Sequence, residues 1–592
     1  MKVVDKIKAF RESLNTENIQ AFIVPSTDPH IGEYIPEHWE SRKWLSGFTG
    51  SAGTLVITLN DAALWTDSRY FLQAEEQLQG SDIQLMKMGL ANTPDIKDWI
   101  KTQLNVGETV AFDGSVYSAS DATALIGFFN EEGIDVRTDF DPFYIWNNRP
   151  AIPENKAFII PKSFTGESTK SKIARVLSEL KKVNCNTTLL ASLDTIAWLC
   201  NLRGNDINYN PVAVSYAIVS EKETVLFINP KKLTTEVVDY LNNEGVIIAE
   251  YEKVFSYVKK LSKHNKVLLT PNKINYHLYS SIPSECNIVK CDVNPVDYLK
   301  AIKNQTEIDG FKNAMIKDGV ALTKFFIWLE KQLASGNKVT ELDVSDKLKE
   351  FRSEQKLFFC ESFTTIAGYA EHGAIVHYSA STESNATILP KGILLIDSGA
   401  QYFDGTTDIT RTIAVGDVTD EMKKDFTNVL KGNIQLSKAI FPKGTVGMQL
   451  DILARQFIWE ESQNFLHGTG HGIGHFLNVH EGPQSIRMNF NPVAMEPGMV
   501  TSNEPGLYKT GKYGIRIENL ILTIPHKTTE FGEFYAFETL TLCPIDRKLI
   551  NWTLLTEEEM QWLNNYHNMV YDKLSPFLSD EEKVWLEKSI NQ

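Results

Sequence analysis

Gly392-Ile-Leu-Leu-Ile-Asp397-Ser-Gly399, then after four residues Asp404-Gly-Thr-Thr-Asp408-Ile-Thr-Arg411, reads as an apolar strand ending in an aspartate, a turn, and a second strand carrying another aspartate. If the strands pair antiparallel around Tyr402-Phe403, Asp397 and Asp408 lie opposite each other on one face. Carboxylates held that close repel unless a positive charge sits between them. A shared proton is one solution and a divalent metal is the other. A lone Asp-Ser-Gly reads as a strand-end aspartate capping a turn. The second aspartate, the threonine-rich strand and the motifs further on turn the reading toward a metal.

Six of the 12 histidines fall between His372 and His480. His467-Gly-Thr-Gly-His471-Gly-Ile-Gly-His475 alternates glycine with larger residues. Such a run is a poor helix, because each glycine costs about 1 kcal/mol relative to alanine. It does allow unusual backbone angles and close approach to a ligand. Val479-His480-Glu481-Gly482 adds a further histidine. Asn503-Glu504-Pro505-Gly506 and Gly514-Ile-Arg516-Ile-Glu518-Asn519 close the series. In the latter, alternation puts Arg516 and Glu518 on one side of a strand and Ile515 and Ile517 on the other. Alone, Arg516 and Glu518 read as a plain ion pair. Together the motifs supply four carboxylates and one imidazole: Asp397, Asp408, His471, Glu504 and Glu518. That oxygen-rich set favours Mn²⁺, with Co²⁺, Fe²⁺ or Zn²⁺ as alternatives. A structural zinc site would use cysteines or more histidines. Four carboxylates exceed the charge need of one divalent ion, which points to a two-metal site.

The rest of the chain frames this region. At 592 residues it is too long for one core and implies three or four domains. The net charge of -16 argues against nucleic-acid binding through bulk electrostatics. MKVVDKIKAFRESLN lacks the apolar core of a signal peptide, and no apolar run approaches the ~18 residues of a membrane span. Cys185, Cys200, Cys286, Cys291, Cys360 and Cys543 lack paired metal spacing and read as reduced thiols of a cytosolic protein.

Helical periodicity is expected from Lys2 to Leu14, with strands at Ala21–Val24, Thr54–Ile57 and Ala62–Trp65, the last two forming a hairpin. Trp146 to Pro153 resembles a linker. A strand at Ile159-Ile160 and a helix over Lys170–Lys182 then repeat the plan. Ser26-Thr27-Asp28, Trp44-Leu45, Gly47 and Gly50 in the first segment have counterparts in Ser192-Leu193-Asp194, Trp198-Leu199 and Gly204 in the second. Two related α/β domains are therefore expected. Lys300 to Lys331 reads as one long amphipathic helix, and the tail beyond Asn551 as helical, with Trp552, Trp562 and Trp585 packing.

The motif set resembles the Xaa-Pro aminopeptidase branch of the "pita-bread" metallopeptidases, in its long three-domain cytosolic form. The resemblance covers nearly the whole chain. It includes Gly50-Ser-Ala-Gly-Thr54 and Trp65-Thr-Asp-Ser-Arg69-Tyr-Phe, Ile196-Ala-Trp-Leu and Asn201-Leu-Arg-Gly204, His377-Tyr, and the aspartate, histidine and glutamate motifs above. It implies a mixed α/β and α+β chain. Creatinase-type α/β domains would span 1–145 and 146–298, and a pita-bread catalytic domain with a C-terminal helical extension would span 299–592. It also implies hydrolysis of the N-terminal Xaa-Pro bond of short peptides by a hydroxide held between two metals. In that scheme Asp408 and Glu518 bridge both ions, Asp397 completes one, and His471 with Glu504 the other. Glu504 shuttles the proton, His377 and His480 hydrogen-bond substrate or oxyanion, His467 supports the site, Arg516 orients carboxylates, and Arg69 reaches the substrate's C-terminal side. The first two domains would limit access to short, unstructured peptides. A homodimer fits the family, and Trp459 is a candidate for its interface. No membrane or nucleic-acid partner is implied. Prolidase is the nearest rival on the same fold. A binding scaffold or metal-free creatinase chemistry would be expected to have lost metal ligands, and all five are present.

Overall fold

Apolar runs such as Ala21–Val24 are buried on both faces, as strands must be when helices cover both sides of a sheet. The computed structural model describes residues 2–591. The chain forms two compact units, Met1–Ile160 with Glu167–Leu299, and Pro161–Gly166 with Lys300–Gln592. Among the described residues no helix is long and apolar enough to cross a membrane.

The first unit holds two six-stranded mixed sheets. The spatial order of the first is Gln84–Lys87, Ala62–Thr66, Thr54–Thr58, Ala21–Val24, Thr109–Phe112, Asp135–Arg137. The second runs Val246–Ala249, Thr224–Ile228, Ser215–Ser220, Thr187–Leu190, Lys266–Leu269, Asn287–Lys290. Numbered along the chain within each sheet, both read 4-3-2-1-5-6, with the same antiparallel and parallel neighbours. The repeat expected from the paired motifs is thus a repeat of topology. Alternation sorts the first sheet's side chains. Phe22, Val24, Leu55 and Ile57 enter one apolar layer, which the helix Val3–Thr16 covers with Ile7, Phe10 and Leu14. Ala21, Ile23, Val56 and Trp65 enter the opposite layer. The halves are tied by the buried His30, whose Nδ1 bonds the Ala191 carbonyl at 2.9 Å and whose Nε2 bonds the Tyr251 hydroxyl at 3.0 Å. The expected strand near Ile159 is Phe158–Ile159, which pairs with Leu202–Arg203 outside the main sheet.

In the second unit the helix expected over Lys300–Lys331 is broken. Pro295–Ala301 ends before it, and Gln305–Ala334 starts from a capping box made by Asn304 and Glu307. The long helix buries Phe311, Met315, Leu322, Phe326 and Leu329. Three strands, Ile366–Tyr369, Ile393–Ser398 and Ile409–Ala414, form one antiparallel sheet. A six-stranded sheet takes in Gly470–Gly472, Val500–Asn503 and Asn519–Thr529 at its centre. The helices Asp420–Ser437 and Gly447–Glu460 meet where Gly432 lies against the Ala454 carbonyl. The tail is helical, as expected. Trp585 stacks on Phe326 with centroids 6.3 Å apart, and Trp562 stacks on Tyr566 at 5.4 Å.

Candidate metal centre

The expected pairing of Asp397 with Asp408 needs one correction. Asp397 stands opposite Thr410, and Ser398 opposite Ile409, so Asp408 lies two positions off along the partner strand. The two aspartates still share a face, as diagonal neighbours. The offset arises because the turn falls at Phe403-Asp404, one residue later than expected, with Tyr402 opposite Gly405, and the hairpin also changes sheets. Ala400–Tyr402 and Gly405–Thr406 pair in a separate three-stranded sheet. Gly399 is the crossing point, where a Cβ would stand 2.0 Å from the Thr407 carbonyl oxygen.

His471 sits on the short strand Gly470–Gly472, pressed onto Val500–Asn503. A Cβ on Gly470 would lie 2.0 Å from the Ser502 carbonyl oxygen, so glycine is what permits this approach. The Nδ1–H of His471 donates to the Gly472 carbonyl at 3.0 Å, which turns the Nε2 lone pair toward the carboxylates, where a cation would take it. Nε2 is 3.6 Å from both Asp408 Oδ2 and Glu504 Oε1, too far for hydrogen bonds. Glu518 enters from the turn between Tyr513–Arg516 and Asn519–Thr529. One ligand atom from each of Asp408, His471 and Glu518 lies within 4.8 Å of the other two.

Arg516 ties the remaining carboxylate to this group. It is buried, donating from Nη2 to Asp397 Oδ2 at 2.6 Å, from Nη1 to the Tyr508 hydroxyl at 2.6 Å and from Nε to Thr410 Oγ1 at 3.0 Å. Tyr508 reaches His467 Nε2 at 2.8 Å, and Thr410 donates to Glu518 Oε2 at 2.9 Å. His467 therefore joins the site through Tyr508. Tyr508 and Thr410 were not among the expected site residues. Both were within reach of alternation, Thr410 two residues past Asp408 and Tyr508 four past Glu504. His480 faces His471 with ring centroids 4.4 Å apart. The next residue, Glu481, is clamped in the interior by Lys300 at 2.9 Å and Lys303 at 2.5 Å. His377 is half-buried, close after a turn whose Gly373 abuts Gly514. That turn is anchored by the buried Glu341, which accepts from Tyr369 N, His372 Nδ1, the Tyr378 hydroxyl and Ala386 N at 2.8 to 2.9 Å. His475 is buried on Phe311 and the Asp404 carbonyl. Arg69 belongs to the first unit, where it holds Asp67 through two bonds of 2.8 Å and approaches Glu33 at 3.5 Å.

Electrostatics bears on whether cations fit here. Burial, then repulsion from Glu518, Asp397 and Glu504, pushes the Asp408 carboxyl well above the ordinary range. Burial and Asp397 push Glu518 up to about 8. Burial works against the charge on Arg516, but Tyr508, Asp397 and Glu504 outweigh it and hold the guanidinium protonated. Burial also raises the Tyr508 phenol to about 12. Asp397 Oδ1 is buried without a hydrogen bond. Crowded, mutually repelling oxygens, one of them orphaned, beside an imidazole whose Nε2 faces them fit divalent cations.

Comparison with known proteins accords with this chemistry. Residues 309–524 match metallopeptidase family M24, and 533–592 match the C-terminal region of that family. Residues 6–141 and 148–307 each match a creatinase/prolidase N-terminal domain. A probable Xaa-Pro aminopeptidase P from Coprinopsis cinerea is 41% identical over 607 residues, covering 98% of this chain and 97% of the relative. The chain belongs to the Xaa-Pro aminopeptidase branch of family M24. Xaa-Pro aminopeptidase 1 of Dictyostelium discoideum, 39% identical, covers 100% of the chain and 95% of its own length. The crystal structure of X-prolyl aminopeptidase from Caenorhabditis elegans, described as a cytosolic enzyme with a di-nuclear active site, matches with a TM-score of 0.96 at 34% identity over 100% of both chains. The family membership fits both halves of the molecule: paired creatinase-type sheets ahead of a pita-bread domain.

Proposed function

We propose that this chain hydrolyses the bond between the first residue of a short peptide and a proline in second position, using two divalent cations. The observation that carries the reading is the convergence of Asp408, His471 and Glu518, with ligand atoms within 4.8 Å of one another, in a member of this family. Asp397, Asp408, His471, Glu504 and Glu518 would hold the cations. When bound, the pair supplies Lewis acidity that lowers the pKa of solvent and polarises the scissile carbonyl. Glu504 accepts the proton of the attacking water and delivers it to the departing proline nitrogen. His377 and His480 hydrogen-bond the substrate carbonyl as negative charge develops. Arg516, Tyr508 and His467 hold Asp397 in place. A Xaa-Pro bond is a tertiary amide with no N–H and a fixed φ, so a site shaped for the ring accepts what other aminopeptidases handle badly.

Manganese is the proposed metal, on the ratio of carboxylates to imidazole. A cytoplasmic location is supported by six free thiols. A homodimer is supported by Trp459, 43% exposed at the end of a helix. We also assign domains to 1–145, 146–298 and 299–592, since each N-terminal sheet draws its strands from its own segment.

The test pairs metal analysis with peptide assays on one sample. Arg-Pro-Pro should be cut, whereas an enzyme that accepts only Gly-Pro is a dipeptidase and ends the proposal. Asp408→Asn or Glu518→Gln should lower turnover by more than ~100-fold and reduce metal content. Wild-type rates in either variant would remove the mechanism.

A further inference from the structure

We propose that the catalytic unit carries a second small-molecule site, for a compact amphipathic carboxylate, beside the C-terminal helix Asp580–Asn591. A cavity of about 220 Å³ opens there. Its walls are Phe326 and Leu329 of the long helix, Ile413 of the strand Ile409–Ala414, Pro544 and Ile545, and Trp585. Water against such walls forgoes apolar contact, so an apolar body gains by entering. The volume is below the ~300–1,000 Å³ of drug-sized pockets. A single ring or a short alkyl chain matches it.

The rim decides the charge of the ligand. Its two acids are already engaged. Asp546 accepts from the backbone N–H of Ala414 at 2.8 Å and of Lys548 at 3.0 Å. Glu330 accepts from the Trp585 indole at 2.7 Å and pairs with Lys548 at 3.4 Å. The cations are not matched in the same way. Arg547 lies over Trp552 at 4.3 Å, and its Nε is buried with no hydrogen-bond partner. Lys588 lines the same cavity and makes no ion pair among the described residues. Unmatched positive charge above an apolar floor selects an anionic head on an apolar body, and it repels an amine of the same shape. None of these residues takes part in the metal centre, so the two sites can be read separately.

Octanoate is the probe, titrated into the full-length protein by calorimetry and followed by tryptophan fluorescence, with octylamine as the chain-matched cation. Octanoate should bind one-to-one and change the fluorescence, and that change should vanish in Trp585→Phe. Ala414→Phe, which fills the cavity from the strand, should weaken binding about tenfold or more, as should Arg547→Gln combined with Lys588→Gln. Octylamine should bind about tenfold more weakly or worse. If Ala414→Phe does not fold, the charge variant carries the test. No octanoate binding in the millimolar range, octanoate affinity unchanged in the charge variant, or equal affinity for octylamine would overturn the proposal. So would binding that disappears when the protein is treated with a chelator, which would assign the anion to the metal centre.

Discussion

Burial and the neighbouring carboxylates push the Glu518 and Asp408 carboxyls above their ordinary range. In the metal-free protein Glu518 titrates at about 8 instead of 4.5. Between those values the folded state binds more protons than the unfolded chain, so this group's contribution to stability is lost as pH rises through the window. Cations displace the protons and reverse the trend. The melting temperature of chelated protein should therefore fall across that window more steeply than that of Glu518→Gln, and added metal should raise it most at the alkaline end. Equal slopes in the two proteins would show that Glu518 is not so perturbed. A second expectation concerns Glu341, which satisfies four donors of the turns near His377. Each buried donor left unpaired costs about 1–3 kcal/mol, so Glu341→Ala should destabilise by about 3 kcal/mol or more in denaturant melts. Glu341→Gln, which keeps one acceptor oxygen, should destabilise less than Glu341→Ala and lower kcat with little change in metal content. At this scale the convergence of Asp408, His471 and Glu518 was legible, because polar residues among glycines at strand ends have few other uses. Tyr508 and Thr410 were not. Alternation marks the face each occupies but not the contact with Arg516 that ties it to the site.

Strands and glycines carry the next level. Gly470→Ala would force Gly470–Gly472 off Val500–Asn503, because the new methyl meets the Ser502 carbonyl at 2.0 Å. His471 moves with the strand, and metal affinity measured by titration should fall about tenfold or more. Gly468→Ala is the control, since its nearest neighbours are 3.6 Å away, and it should bind metal normally. Equal affinity in both variants would show that the close approach is not needed. The hairpin bearing Asp397 and Asp408 was readable as two strands and a turn, but its register was not. Periodicity reports which side a residue faces. It carries no sign that the turn centres on Phe403-Asp404 and not on Tyr402-Phe403. The break before Gln305 was hidden for a related reason, since apolar spacing runs on through Ile302–Asn304 while the capping box restarts the helix.

For the molecule as a whole, ligation and folding are coupled. A metal at 100 times its dissociation constant adds about 2.7 kcal/mol to the stability of the state that binds it. Exhaustive chelation should lower the thermal midpoint, and Mn²⁺ should restore both the midpoint and turnover. Full activity after chelation would contradict the metal claim. The duplicated plan of the first unit was visible in spaced Ser-x-Asp, tryptophan and glycine positions, and the 4-3-2-1-5-6 order gives it a physical basis. How the second unit assembles was less visible, because strands far apart in the chain pair, as Ile440–Pro442 does with Gly532–Thr539. Asn519–Thr529, which begins directly after Glu518, completes its place only by pairing with Val500–Asn503 and Gly532–Thr539. During synthesis the ribosome therefore carries an inert precursor until that late strand has emerged. Hydrolytic power arrives only once that strand is in place, and a half-made copy has no means of trimming its neighbours.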